Sequence, residues 1–164
     1  MAGVCFVAEY ADCTELIFET TVEGAVEEVF RFHTGFANIK KIIPPYPYLK
    51  ILHAPETLKK DDTFTVGLFF LPLIGIYWES KVTEYEENSR LSDKQISLAP
   101  FKFWIHEHSF KQDGKDCIIT DRVCYKMHFG FFGKIIDSVF FRHSLRFFFS
   151  YRSKRLKKIF GSIR

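Results

Sequence analysis

His106, Glu107 and His108 stand in succession inside a run of apolar and aromatic residues from Phe101 to Phe110. On a strand, successive side chains point to opposite faces, so both imidazoles share one face and Glu107 takes the other. A second run, 115 to 127, carries Asp121 in step with Cys117, Ile119, Val123 and Tyr125 at alternate positions. Two imidazoles and a carboxylate on a common surface could act as an acid–base dyad oriented by the carboxylate, or as metal ligands. The same residues also suit a charge-neutral hydrogen-bond cluster that satisfies buried polar groups, or contact with a bound molecule. No further Cys or His is spaced to complete a metal shell, so neither a metal nor a cofactor is expected.

What brings these groups together is a hairpin. The Asp113-Gly114 pair reads as a two-residue type I′ loop, in which both positions need a positive φ. With Gln112 facing Lys115, His106 falls opposite Asp121, His108 opposite Ile119, Trp104 opposite Val123 and Phe110 opposite Cys117. Cross-strand neighbours stand about 5 Å apart at Cβ, so His106 and Asp121 form the expected pair. Asp93 and Gln95 share a face of the preceding strand with Leu91 and join the candidate set.

The rest of the chain must build the surface on which that hairpin sits. Glu15 to Val22 is β-branched and aromatic and reads as a strand that Gly24 breaks. Val26, Val29, Phe30 and His33 recur at helical spacing, as do Phe36, Ile39, Lys40 and Ile43 before Pro44 and Pro45 stop the run. Strands are expected at 48–52, 63–71, 75–85, 91–97, 101–112 and 115–127, separated by polar turn residues. From 133 to 160 no Gly or Pro follows the first residue, and Ile136, Val139, Phe140, Phe147 and Tyr151 suggest one apolar side of a long helix. Strands joined by short turns are antiparallel, and a long helix after such a sheet buries its apolar side across the concave face. The fold class expected is α+β: a curved antiparallel sheet of six to seven strands around a long C-terminal helix, with two short helices after the first strand.

Length and composition agree with one domain, residues 15–164, behind an N-terminal extension of residues 1–14. Among 164 residues twenty are Phe, and aromatics reach 18%. That excess suits broad apolar walls, because each ring offers large area with few rotamers. Residues 142 to 164 carry eight Lys or Arg and no acid, a basic end on an acidic body. Cations in the last turns of a helix are favoured by its dipole, and no groove-reading motif accompanies them, so a nucleic-acid partner is not expected. Cys5, Cys13, Cys117 and Cys124 show no CxxC or CxxxC spacing, and no leader-like or 18-residue apolar segment occurs. These features suggest a reducing compartment and a cytoplasmic, non-spanning protein.

Several stretches resemble the START-like superfamily of helix-grip proteins (SRPBCC), and within it the cyclase/dehydrase-like branch of small ligand-binding proteins. They are ValGluGlyAlaValGluGluValPheArgPheHis at 22 to 33, TrpGluSerLysVal at 78 to 82, AspLysGln at 93 to 95, AlaProPheLysPheTrpIleHisGluHisSerPhe at 99 to 110, AspArgValCysTyr at 121 to 125 and PheGlyPhePheGly at 129 to 133. The resemblance implies an internal cavity walled by the strands that carry Trp104, His106, His108, Asp121 and Tyr125. One departure is the Phe density of 141 to 149 in the closing helix.

The expected function is binding, with transport or sensing in view, of a small hydrophobic or amphipathic molecule such as a lipid or polyketide. Trp78, Asp93, Gln95, Trp104, His106, His108, Asp121, Tyr125, Phe140 and Phe147 are the candidate binding residues, with Phe69 and Phe70 as further walls. No catalytic residue is assigned. The enzyme alternative is a cyclase or dehydratase in which the His106–Asp121 pair abstracts a proton beside a carbonyl. A further alternative is peripheral membrane contact through Arg152, Lys154, Arg155, Lys157 and Lys158, beside Leu156, Ile159 and Phe160 on a helix end left uncovered by the sheet. The oligomeric state is not legible.

Overall fold

The structure is a computed structural model that describes residues 13–71, 74–97, 101–128 and 130–161. Cys5, Phe129 and the side chain of Phe70 lie outside the described residues.

Seven strands form one antiparallel sheet: β1 (Thr14–Glu23), β2 (Tyr48–His53), β3 (Thr63–Leu71), β4 (Ile74–Glu86), β5 (Arg90–Gln95), β6 (Phe101–Asp113) and β7 (Asp116–Met127). Their order across the sheet is β1-β7-β6-β5-β4-β3-β2, so every neighbour from β2 to β7 is a hairpin neighbour. The two sequence-adjacent strands β1 and β2 occupy opposite edges. Between them run α1 (Val26–Thr34), a 3₁₀ turn (Phe36–Asn38) and α2 (Ile39–Ile42). Ala25 gives α1 no side-chain cap, and the Gln112 side chain of β6 substitutes by accepting from the Val26 N–H at 2.7 Å. That bond meets one of the orphan donors of a helix N-terminus and ties α1 to the β6–β7 hairpin.

The hairpin differs from its sequence reading by one step. Asp113 pairs with Asp116, which makes Gly114 and Lys115 the loop. Gly114 has φ 59° and Lys115 does not share a positive φ. This is the pattern of a type II′ loop with Gly first. A one-residue shift of the loop moves every cross-strand partner by two and leaves the faces unchanged. His108 therefore faces Asp121, and His106 faces Val123. The buried face expected for this hairpin, with Trp104, Phe110, Cys117, Ile119, Val123 and Tyr125, is observed.

The closing helix runs as α3 (Gly130–Ile136), a π-helical turn (Asp137–Phe141) and α4 (Arg142–Phe160). A π turn adds a residue per turn and rotates the helix beyond it. The side that meets the sheet is consequently Leu145, Phe149, Arg152 and Leu156, at spacings of four, three and four. The stripe read from sequence is instead largely outside: Ile136, Val139, Phe140 and Phe147 are exposed. Two contiguous cores result. One joins α1 and Leu156 to β3–β7, and the other joins Leu145 and Phe149 to Phe101, Trp104, Val123 and Tyr125.

Cys13 and Cys124 form a disulfide with Cα atoms 6.0 Å apart, which runs against the reducing compartment expected from the cysteine spacing. Spacing rules miss it because the two residues meet only through the β1–β7 pairing. Cys117 is free and buried. Among the described residues no helix is long and apolar enough to cross a membrane.

Candidate functional site

Asp121, on β7 and 2% exposed, is the centre of a buried polar cluster. His108 Nδ1 stands 2.6 Å from its Oδ1 and His106 Nε2 3.2 Å from the same oxygen. Arg152 reaches in from α4, with one terminal nitrogen 3.6 Å from that oxygen and 3.4 Å from His108 Nδ1. The carboxylate binds both histidines, so the pair expected from sequence is present as the weaker half of a three-residue group. The two imidazole rings lie 4.0 Å apart, and the His106 ring meets Phe149 edge-on at 5.5 Å.

Charge is set by this packing. Burial alone would push the Asp121 carboxyl up, but the Arg152 guanidinium and the two imidazoles outweigh it and hold the group well below the usual carboxylate range. Burial, then the neighbouring His106, pushes His108 well below the usual imidazole range. A neutral His108 that donates from Nδ1 to Asp121 keeps its lone pair on Nε2.

Two members of the cluster lie outside the set expected from sequence. His33, on α1, has its ring 5.9 Å from that of His108. Its Nδ1 stands 2.8 Å from the Val29 carbonyl and donates to it, while Nε2 is buried without a partner. Burial, then Arg152, lowers its pKa from 6.5 to about 4. The other is Arg152, 6% exposed with Nε buried and unpartnered. A cation within the apolar series Leu145, Phe149, Leu156 is the signal that could have found it.

Asp93 lies directly across from His106 in the β5–β6 pairing. Burial raises its pKa, and His106, the Ser80 hydroxyl and Arg152 pull the other way. One ligand atom from each of Asp93, His106 and His108 lies within 4.8 Å of the other two. Gln95 is buried beside this group, its amide nitrogen on the Ser97 carbonyl at 2.8 Å and its Oε1 unpartnered.

The aromatic walls are only partly those expected. Trp78 and Trp104 meet edge-on at 5.2 Å, with Phe101 5.5 and 5.3 Å from them. Tyr125 is fully buried, but its hydroxyl donates to Asp137, whose other oxygen takes Nε and one terminal nitrogen of Arg142, each at 2.9 Å, and the Thr14 hydroxyl at 3.1 Å. Burial and then Asp137 push the Tyr125 phenol up, so Tyr125 joins the sheet to the π turn. Phe140 and Phe147 do not converge with the set: both are exposed, Phe140 within the π turn and Phe147 on the side of α4 opposite Leu145, Phe149, Arg152 and Leu156. Phe69 covers Gly67 and Gly75 beside the exposed Tyr77, on the opposite face of β3 from Phe64 and Val66.

A curved antiparallel sheet gripping a C-terminal helix, with short helices after the first strand, defines the helix-grip fold. Solved structures with that architecture match nearly the whole chain. Protein CV1439 from Chromobacterium violaceum is 11% identical with a TM-score of 0.70, over 91% of this chain and 98% of its own. Major latex-like protein 151 from Panax ginseng is 15% identical with a TM-score of 0.65, over 92% and 99%. A point mutant of norcoclaurine synthase from Thalictrum, in complex with a transition-state analogue, is 14% identical with a TM-score of 0.62, over 90% and 96%. No protein-family model and no curated protein matches the sequence.

Proposed function

We propose that the protein binds a small hydrophobic or amphipathic molecule, of the lipid or polyketide type, between the sheet and α4. The observation that carries this reading is the Asp121 cluster, where Arg152 Nε and His33 Nε2 are buried without partners. Buried polar atoms in folded proteins are almost always paired, so donors and acceptors left over beside Phe149 and Phe110 suit the polar end of a guest. The likeness to a synthase solved with a bound analogue supports an interior able to hold organic molecules, and says nothing of which one.

Extraction of the purified protein into organic solvent, with mass spectrometry and a tryptophan-fluorescence titration with fatty acids, tests the reading. A co-purifying guest, or saturable binding weakened tenfold or more by Arg152→Met, is expected. An empty extract with no saturable binding would overturn it. Acid–base catalysis at the same cluster would appear as turnover abolished by His106→Asn while binding survives.

A second reading, contact with an anionic membrane, draws on the outer face of the closing helix. Phe131, Phe132, Ile136, Val139, Phe140 and Phe147 are exposed along it, followed by Lys154, Lys157 and Lys158. The apolar edge lies earlier in the helix than the sequence suggests, since Leu156 is buried and Phe160 packs on Phe32. Apolar rings beside cations suit a surface-lying helix, with each Lys near the lipid contributing about 1 kcal/mol. Co-sedimentation with phosphatidylserine vesicles at low salt, lost on changing the three lysines to Glu, is the expected result. Equal binding to neutral vesicles, or none to either, would remove the reading.

A further inference from the structure

We infer that Asp93, His106 and His108 form a binding site for a divalent transition-metal ion, zinc or cobalt in class. The inference is independent of the ligand reading, because it concerns the metal alone. Its basis is geometric. The pairing of three strands places Asp93 against His106 and Asp121 against His108, so β5, β6 and β7 deliver four groups to one patch of the inner face. One oxygen or nitrogen from each of Asp93, His106 and His108 already lies within 4.8 Å of the other two. Ligands of tetrahedral zinc, at about 2.0–2.1 Å from the ion, stand roughly 3.4 Å from one another, so small side-chain rotations bring the three to coordinating distance.

Asp121 is not among the three and does something else. It accepts from Nδ1 of His108 and Nε2 of His106, at 2.6 and 3.2 Å. Metal-bound histidine generally donates its second ring nitrogen to a carboxylate, which fixes the tautomer and leaves the opposite nitrogen for the metal. Here one carboxylate holds a nitrogen of each ring, which makes Asp121 a positioning residue. Arg152 does not oppose the ion with a whole charge, because its guanidinium is paired with Asp121 at 3.6 Å. The charge left for a dication is that of Asp93. Asp93 and His106 are only partly buried, His106 with a 12% exposed side chain, so an ion can reach them from the partly open side of the cluster.

Two imidazoles and one carboxylate favour zinc, cobalt, nickel or iron over magnesium or calcium, which prefer oxygen shells. Three protein ligands leave a coordination position open. His33 is a further imidazole near the cluster, and its ring sits 5.9 Å from that of His108, outside the set of three.

The test uses the full chain, stripped with chelator and dialysed, then titrated with cobalt chloride and followed by visible absorption and by metal analysis after desalting. One equivalent bound, with cobalt bands that zinc displaces, is expected. Asp93→Asn and His106→Gln should each weaken cobalt binding at least 100-fold, and Asp121→Asn roughly 10- to 100-fold with the stoichiometry kept. Circular dichroism of each variant verifies folding, and the melting rise that zinc gives the wild type provides a second readout that needs no variant. Less than a tenth of an equivalent retained, or binding unchanged in the Asp93→Asn, His106→Gln double variant, overturns the site. Weak uptake at exposed His53 and His143 would survive both substitutions and is recognised that way. A protein that binds fatty acid and no cobalt would refute the metal site and leave the ligand reading standing.

Discussion

Removing the carboxylate of Asp121 should cost more than removing the guanidinium of Arg152, and the two losses should not add. At the 3.6 Å separation of the pair, Coulomb attraction is about 5 kcal/mol at an effective dielectric near 20. Asp121→Asn leaves Arg152 buried, 6% exposed and without the carboxylate it contacts. About 3–5 kcal/mol of destabilisation is expected from that stranded charge. Arg152→Met keeps Asp121 in contact with two imidazole N–H donors, at 2.6 and 3.2 Å. Its cost should therefore be smaller, about 1–2 kcal/mol. In the double variant no charge is stranded, and the total should fall short of the sum by about 2–3 kcal/mol. Urea unfolding in chelating buffer, followed by the fluorescence of Trp78 and Trp104, measures all four corners of the cycle. A double variant whose cost equals the sum within about 0.5 kcal/mol, the usual margin for independent sites, would refute the claim that the pair carries the charge balance of the cluster.

Stability should fall with pH as His33 becomes protonated in the unfolded chain. His33 titrates at 6.5 when unfolded and at about 4 when folded. Its contribution is therefore fully present above the unfolded value and is lost as the pH falls through the folded one, by roughly 3 kcal/mol. His33→Leu should flatten that part of the stability profile in chelator-treated protein; parallel profiles for variant and wild type would contradict it. The Phe149 ring stacks on Phe18 at 4.3 Å in the core, so Phe149→Ala should cost about 3–5 kcal/mol. Phe147→Ala on the outer face should stay within about 0.5 kcal/mol. Thermal denaturation separates the two, and equal losses would mean that the helix phase is wrong. Gly133→Ala would drive its Cβ into the His128 carbonyl oxygen. A loss of at least about 1–3 kcal/mol, or a displaced α3, is expected in a melting curve, and an unchanged curve would contradict the close approach.

Whatever local periodicity governs is legible in the sequence. The seven strands, the two short helices after β1 and the shared inner face of His106, His108 and Asp121 all come from alternation, breakers and turn residues. The partner of Asp121 escapes such reading because Asp113-Gly114 and Gly114-Lys115 are both acceptable two-residue loops, and only tertiary fit chooses between them. Helix phase escapes for a related reason. An extra residue in the turn at Asp137–Phe141 has no sequence signature that a 3.6-residue count detects, so the periodicity points Phe140 and Phe147 inward where the structure turns them out. Arg152 and His33 come from helices at opposite ends of the chain, and no pattern within either segment shows that they meet above β6. Cys13 and Cys124, at a sequence separation of 111, are hidden on the same ground.

The strand order carries a consequence for the chain as it is made. From β2 onward each new strand can pair with the one just completed, so the sheet can grow hairpin by hairpin from one edge. β1 is emitted first and cannot be paired until β7 exists, since even its nearest partners, Glu23 and Asp116, lie roughly ninety residues apart. At ribosomal rates of about 5–20 residues per second, this strand waits roughly 5 to 20 seconds with its backbone edge unpaired. The opening segment is therefore the one most in need of protection during synthesis, and its arrival on β7 is the event that completes the sheet against which α4 packs.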